Sequence, residues 1–173
     1  MKTKDLALTA LMAALICVCS PLSVNVGPIP ISLCTLAVYL SAAVLGSKRG
    51  TLAVAVFLLI GVIGLPVFSG FTGGFQKLAG VTGGYLIGYM PCAWITGLGA
   101  QPGVAGRWRL PLMAVLGTAA LYALGTAWFM AQSGNGPGAS LALCVLPFLP
   151  GDAVKIAAVS MLAKQVKKAV KTA

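Results

Sequence analysis

The sequence lacks histidine and glutamate, and its only acidic residues are Asp5 and Asp152. Charged residues of both signs make up 8% of the 173 residues, whereas a soluble domain carries about 25%. So few charges cannot cover the surface of a water-soluble fold of this size. The same shortage excludes a Ser-His-Asp triad, histidine-ligated zinc or haem, and most paired-carboxylate sites. The sequence therefore predicts a membrane protein that is not an enzyme and has no metal or cofactor.

Apolar residues form 59% of the chain and are grouped into six long stretches. About 20 helical residues cross the roughly 30 Å of bilayer hydrocarbon. The six predicted spans cover residues 6–24, 29–46, 51–66, 79–98, 110–131 and 151–170. The apolar segment 139–149 is too short to cross, so it predicts a short helix lying across the end of the bundle. We therefore predict a single all-α membrane domain over residues 1–173.

Basic residues are divided unequally between the two sides of this predicted bundle. Lys77 alone falls on one side, and Lys155 lies near the start of the last span. The other ten fall on the opposite side and are Lys2, Lys4, Lys48, Arg49, Arg107, Arg109, Lys164, Lys167, Lys168 and Lys171. Because positive loops stay in the cytoplasm, both termini are predicted to be cytoplasmic and loops 66–74 and 132–150 external. Spread in this way, the net charge of +10 indicates contact with anionic lipid and not with nucleic acid.

The glycine-rich loop, residues 65–75, contains three phenylalanines: Phe68, Phe71 and Phe75. Irregular backbone near a membrane persists only where protein or water satisfies its amide groups. Apolar side chains would be unnecessary in a loop that simply faced water. Two explanations stay open: the loop folds over an apolar ligand, or it plugs back onto its own bundle.

The fourth predicted span combines a glycine repeat with two tyrosines. Gly80, Gly84 and Gly88 recur every four residues and predict a smooth face for close helix packing. Tyr85 and Tyr89 lie one turn apart on another face. A membrane-interface aromatic belt explains these tyrosines, and so does contact with a ligand.

Asp152 and Lys155 stand at the start of the last predicted span, after Pro150 and Gly151. Ionisable groups at membrane depth are costly and normally face the interior or a wet cavity. Their i, i+3 spacing places both on one helix face, where they can pair. A ligand site is favoured because Ser, Thr or Asn would cap the helix equally well without a charge, and a helix cap that complements the helix dipole is the alternative.

Small residues repeat along the first predicted span, with Ala10 and Ala14 four positions apart. Such a stripe lets another helix approach closely, whether that helix belongs to this chain or to a partner. No G-x-x-x-x-G-K-[ST] motif occurs in the chain. Active transport by this protein would therefore require another protein to hydrolyse ATP.

Several segments, taken in order, resemble the BioY family of biotin-binding S components from energy-coupling factor (ECF) vitamin transporters. They are GPIPISL at 27–33, GLPVFSG at 64–70, TGGYLIGY at 82–89 and LPGDAVK at 149–155. The similarity extends over nearly the whole chain. Two positions depart from it, because Cys34 replaces a polar amide and Val81 replaces a proline that many members carry.

The resemblance implies a substrate-capturing subunit of a prokaryotic cytoplasmic membrane. Such a subunit works with a transmembrane coupling protein and two cytoplasmic ATPases. The implied biotin site includes Asp152, Lys155, Thr82 and Tyr85, and the implied docking face for the coupling protein is the stripe at Ala10 and Ala14.

The chemistry of biotin suits these residues. Asp152 can accept hydrogen bonds from the ureido N–H groups, and Lys155 can donate to an oxygen of the ligand. The aromatic residues that could enclose the ring body are Phe68, Phe71, Tyr85 and Tyr89.

Other functions stay open at this point. Within transport, they are an S component for another vitamin, such as riboflavin or thiamine, and a stand-alone carrier. Outside transport, they are a small membrane enzyme, for which the composition supplies no catalytic groups, and a structural or pore-forming oligomer, which would have no use for Asp152.

Overall fold

The computed structural model describes residues 3–25, 29–100 and 108–172, without the side chains of 25, 164 and 167–172. This part of the chain forms eight helices and a two-stranded antiparallel hairpin. The helices are α1 (Thr3–Cys19), α2 (Cys34–Leu45), α3 (Ser47–Val62), α4 (Phe75–Ala79), α5 (Gly83–Leu98), α6 (Arg109–Ser133), α7 (Pro137–Cys144) and α8 (Leu149–Thr172). The strands are β1 (Ser23–Asn25) and β2 (Pro30–Ser32).

The β1–β2 hairpin replaces helix that was predicted at the end of the first span and the start of the second. Ser23 lies opposite Ser32, and Asn25 lies opposite Pro30. Pro21 and Pro30 account for the difference, because proline lacks an N–H donor and disfavours helix in the residue before it. The all-α prediction was therefore wrong for these two strands. The first two residues of the 27–33 motif lie outside the described residues.

Two helices, α2 and α5, occupy the centre of the bundle. Most side chains of α2 are buried, and α2 contacts α1, α3, α5 and α8. Helix α5 packs along α6 and also contacts α2 and α3. A Cβ atom at Gly84 would overlap Trp128, and one at Gly88 would lie 2.9 Å from Leu121 Cδ1. The predicted packing role is confirmed for these two glycines, whereas Gly80 precedes α5.

Helix lengths support fewer complete spans than the six predicted. Helix α6, with 25 residues, is long and apolar enough to cross a bilayer alone. Helix α7 and residues 149–163 of α8, bent by 48°, pass the same test together. No other helix in the described ranges does, since α1, α3 and α5 have 17, 16 and 16 residues and α2 has 12. Strand β2 and the loops take residues that were predicted as helix ends.

The glycine-rich loop and the short helix are found where they were predicted. Helix α3 ends at Val62, and Gly64 and Gly74 then take φ angles of +113° and +94°, which favour glycine. The short helix is α7, which begins at Pro137, two residues before the predicted segment. Proline suits the first turn of a helix because the N–H it lacks would have no partner there.

Candidate functional site

Asp152 lies in the first turn of α8, and only 4% of the residue is exposed. Its Oδ2 accepts a hydrogen bond from the Tyr122 hydroxyl of α6 at 2.6 Å. Its Oδ1 accepts from Thr35 Oγ1 of α2 at 3.3 Å and from Lys155 Nζ at 3.0 Å. A capping carboxylate would instead accept from first-turn backbone N–H groups. The side-chain partners of Asp152 therefore do not fit the capping alternative.

Lys155 Nζ uses all three of its donors within the protein. It donates to the Ser32 carbonyl oxygen at 2.9 Å, to Thr35 Oγ1 at 2.7 Å and to Asp152 Oδ1 at 3.0 Å. The ion pair expected from the i, i+3 spacing is thus present. Through the bond to Ser32, Lys155 also fastens strand β2 to α8.

Two adjoining cavities lie beside this cluster. The Asp152 cavity has an empty volume of about 350 Å³ and is lined by Ile29, Pro30, Ser32, Thr35, Tyr85, Tyr89, Leu121, Tyr122, Phe148, Asp152 and Lys155. The Thr82 cavity has about 330 Å³ and is lined by Ile29, Pro30, Phe68, Ser69, Lys77, Thr82, Tyr85, Leu86 and Tyr89. These volumes include open solvent, and the enclosed part of each cavity is about 30 Å³, roughly the volume of one water molecule. Small-ligand pockets occupy about 300–1,000 Å³, so a ligand can enter here only if the walls move apart.

Tyr85 and Tyr89 form the shared wall of the two cavities, together with Ile29 and Pro30. Both tyrosines are buried, so the aromatic-belt explanation was wrong: a belt residue would face the membrane interface. The Tyr85 hydroxyl donates to the Cys144 carbonyl at 3.3 Å and lies 3.1 Å from Thr126 Oγ1. These bonds fix the Tyr85 ring between the cavities.

The phenylalanines of the glycine-rich loop have different positions. Phe68 is fully buried, lines the Thr82 cavity and meets Phe57 edge-on at 5.5 Å between ring centroids. Phe68 therefore packs the loop against the bundle and also lines a cavity, so it is consistent with both explanations given for the loop. Phe71 is 68% exposed and lines neither cavity, contrary to its predicted place around the ligand. It occupies the tip of a tight turn at φ +57° and lines an open groove whose wall also contains Ser32 and Lys155.

Two contributors to the site, Thr35 and Tyr122, were not predicted. Tyr122 lies near the middle of α6, the most clearly membrane-spanning helix. A tyrosine at that depth cannot reach an interfacial belt, which is a usable signal for a buried polar role. Thr35 follows Cys34, whose side chain is fully buried and lines neither cavity. Nothing in the local sequence distinguishes Thr35 from a packing residue.

Helix α1 turns the predicted docking stripe away from the bundle. Ala10 and Ala14 are exposed, whereas Met12 and Ile16 on the opposite face are buried. The stripe therefore does not serve packing between the described helices of this chain.

Comparison with known proteins identifies the family to which this arrangement belongs. A sequence model of the BioY family matches residues 1–172. The chain belongs to the BioY family. The biotin transporter BioY of Thermotoga maritima is 38% identical over 165 residues, which cover 95% of this chain and 96% of that protein. The biotin transporter BioY of Rhizobium etli is 35% identical over 177 residues, with 96% and 94% covered.

A solved structure with the same fold supports this membership. The crystal structure of the S component for biotin from an ECF-type ABC transporter matches with a TM-score of 0.84 and 27% identity. The match covers 96% of this chain and 92% of that chain. This BioY-family chain is therefore a membrane protein, and its named relatives are transporters and not enzymes.

Proposed function

We propose that this BioY-family chain captures biotin for uptake across a prokaryotic cytoplasmic membrane, as the S component of an ECF-type ATP-driven transporter. The observation that carries the proposal is the buried Asp152–Lys155 pair in the wall of the Asp152 cavity. A buried ion pair is weak evidence for stability, because its desolvation offsets much of its attraction. Its position in a cavity wall instead suits recognition of a polar ligand.

The residues that line the two cavities suit a ligand with a polar head and an apolar body, which enters as these walls move apart. Asp152 accepts one ureido N–H group of biotin. Lys155, whose three donors are already used within the protein, holds the Asp152 carboxylate in place and, contrary to the expectation from the sequence, does not donate to the ligand. Tyr85 and Tyr89 contact the fused ring body between the cavities. Phe68 and Thr82 line the cavity that receives the rest of the molecule. Phe71 is not part of this proposed site.

The proposed membrane arrangement has six membrane-embedded helical segments and both termini in the cytoplasm. They are α1, α2, α3, α5, α6 and α8, with α7 lying before the last one. The ten-to-one distribution of basic residues supports this orientation. Two of the basic residues in this count, Lys2 and Arg107, lie outside the part of the chain that the structure describes.

The proposed partners are a transmembrane coupling protein and two cytoplasmic ATPase subunits, in addition to the surrounding lipid. The exposed stripe at Ala10 and Ala14 supports the coupling protein as a partner, because small residues permit close helix contact. The ATPase subunits are proposed because the sequence has no P-loop motif with which to bind ATP itself.

Equilibrium binding of labelled biotin to the purified, detergent-solubilised chain tests the proposal. We expect saturable binding that unlabelled biotin displaces and that riboflavin and thiamine do not. Displacement by either of those vitamins, or no binding of biotin, would contradict it. Uptake of biotin by cells with and without the ATPase subunits then separates an ECF component from a stand-alone carrier.

A further inference from the structure

Lys77, on the short helix α4, brings a positive charge to the wall of the Thr82 cavity. It is the only charged residue lining that cavity among those the structure describes. Its side chain is half-buried, and no hydrogen bond or ion pair holds its Nζ within the described ranges. The chain has two carboxylate side chains, and both are paired elsewhere, Asp5 with Arg49 and Asp152 with Lys155. The cation of Lys77 is therefore not balanced by an acidic side chain of this protein.

The Asp152 cavity presents the opposite chemistry. There Lys155 already donates to three protein oxygens, and its charge is matched by Asp152. A ligand carboxylate placed in that cavity would lie near the Asp152 carboxylate, and like charges at short distance repel. The Asp152 end accepts N–H donors, whereas the Lys77 end attracts an anion.

We infer that Lys77 binds the carboxylate of the ligand and thereby sets its orientation, with the ureido ring toward Asp152. This inference rests on the proposed function. The hydroxyl-bearing residues Ser69 and Thr82 line the same cavity and can add hydrogen bonds to the carboxylate. A charge-assisted bond in a partly buried site is stronger than one in open water. The protein then discriminates the free acid from neutral derivatives of the same ring.

The test compares biotin with its methyl ester, which keeps the ring and removes the charge. Binding of both is measured for the parent, Lys77→Met, Lys77→Arg and the control Lys48→Met. Lys48 is an exposed lysine in the first turn of α3 and lines neither cavity. We expect Lys77→Met to weaken biotin binding roughly 10- to 100-fold and to change ester binding less than about twofold. Lys77→Arg should keep most of the preference for the acid, and Lys48→Met should match the parent.

Equal weakening of acid and ester by Lys77→Met would show a packing role and overturn the inference. Unchanged biotin affinity in the same variant would overturn it as well. Thermal stability in detergent is measured for each variant.

If Lys77→Met does not fold, the preference of the parent for the acid over the ester must decline at high ionic strength, because salt screens the Lys77 charge. A preference independent of salt would then overturn the inference. In each of these cases the parent still binds biotin, whereas a parent that binds no biotin contradicts the proposed function itself.

Discussion

The two carboxylate oxygens of Asp152 accept hydrogen bonds from side chains of three helices, α2, α6 and α8. A carboxylate has about four lone-pair positions for hydrogen bonds, and the protein occupies three of them. Tyr122 and Lys155 therefore compensate most of the cost of burying the charge while leaving capacity for one further donor. A ligand N–H can take that position without displacing a protein group.

Replacing Asp152 by Asn should separate ligand binding from folding. The amide keeps the size of the side chain but loses the charge, and it can turn a donor toward the ligand. We expect biotin affinity to fall roughly 10- to 100-fold, as for loss of one charge-assisted hydrogen bond. Equilibrium binding measures the effect, and Asp5→Asn is the matched control because Asp5 pairs with Arg49 away from both cavities. Parent-like affinity in a folded Asp152→Asn protein would remove Asp152 from the site.

Tyr122→Phe removes only the hydroxyl that donates to Asp152 Oδ2. Since the ring stays, we expect a roughly 5- to 30-fold loss of biotin affinity from a less well-fixed carboxylate. The control is Tyr39→Phe, because the Tyr39 hydroxyl bonds Thr118 Oγ1 at 2.6 Å and Tyr39 lines neither cavity. The control should lower thermal stability and leave affinity unchanged. Similar affinity losses in both variants would mean that Tyr122 acts through general packing.

Residue chemistry predicted Asp152 and Lys155 because charges are rare enough in this sequence to be conspicuous. It did not predict Thr35, which is one of many small hydroxyl residues in apolar helices. Its role depends on a contact 117 positions away, with Asp152, and no local pattern encodes that distance. Phe71 shows the converse, because an aromatic residue was conspicuous in the sequence but a left-handed turn places it in an exposed position.

At the scale of elements, α1 has one face toward the bundle and one exposed face. The Asp5–Arg49 ion pair and the buried Met12 and Ile16 hold the inner face against the rest of the chain. The small residues at Ala10 and Ala14 leave the other face smooth.

Bulky residues on this face should block assembly with the coupling protein. We expect the double variant Ala10→Trp/Ala14→Trp to lose co-purification with the coupling protein and ATPases and to keep parent-like biotin binding, because close helix contact tolerates only small residues. The matched control is Ala119→Trp/Ala123→Trp, an exposed alanine pair with the same spacing on α6. Loss of biotin binding by the solitary α1 variant would indicate that the stripe belongs to internal packing.

Hydropathy located the helices better than it located their ends. Each of the six predicted spans contains a helix, since apolar composition alone identifies a buried segment. The hairpin was missed because Leu22, Val24, Ile29 and Ile31 are as apolar as helix residues, and short apolar runs do not distinguish strand from helix. The prolines near them were the available signal.

At the scale of the whole molecule, orientation in the membrane determines which end of the bundle meets the ligand. The charge asymmetry predicts that Ser133 lies outside and Lys48 inside. Single cysteines at these exposed positions should therefore react with a membrane-impermeant thiol reagent from opposite sides of oriented membrane vesicles. The parent, with five native cysteines, gives the background. Labelling of Lys48→Cys from the outside would reverse the orientation and place the cavities on the cytoplasmic side.

The bonds from Lys155 to Ser32 and Thr35 join positions 123 and 120 residues apart. A chain synthesised from its N-terminus makes α2 and the hairpin early and α8 last. During most of translation, Ser32 and Thr35 therefore have no cation beside them, and the nascent bundle lacks the Asp152 carboxylate. If Asp152 receives biotin as proposed, biotin cannot act as a template for the early stages of folding and stabilises only a chain whose final helix has docked.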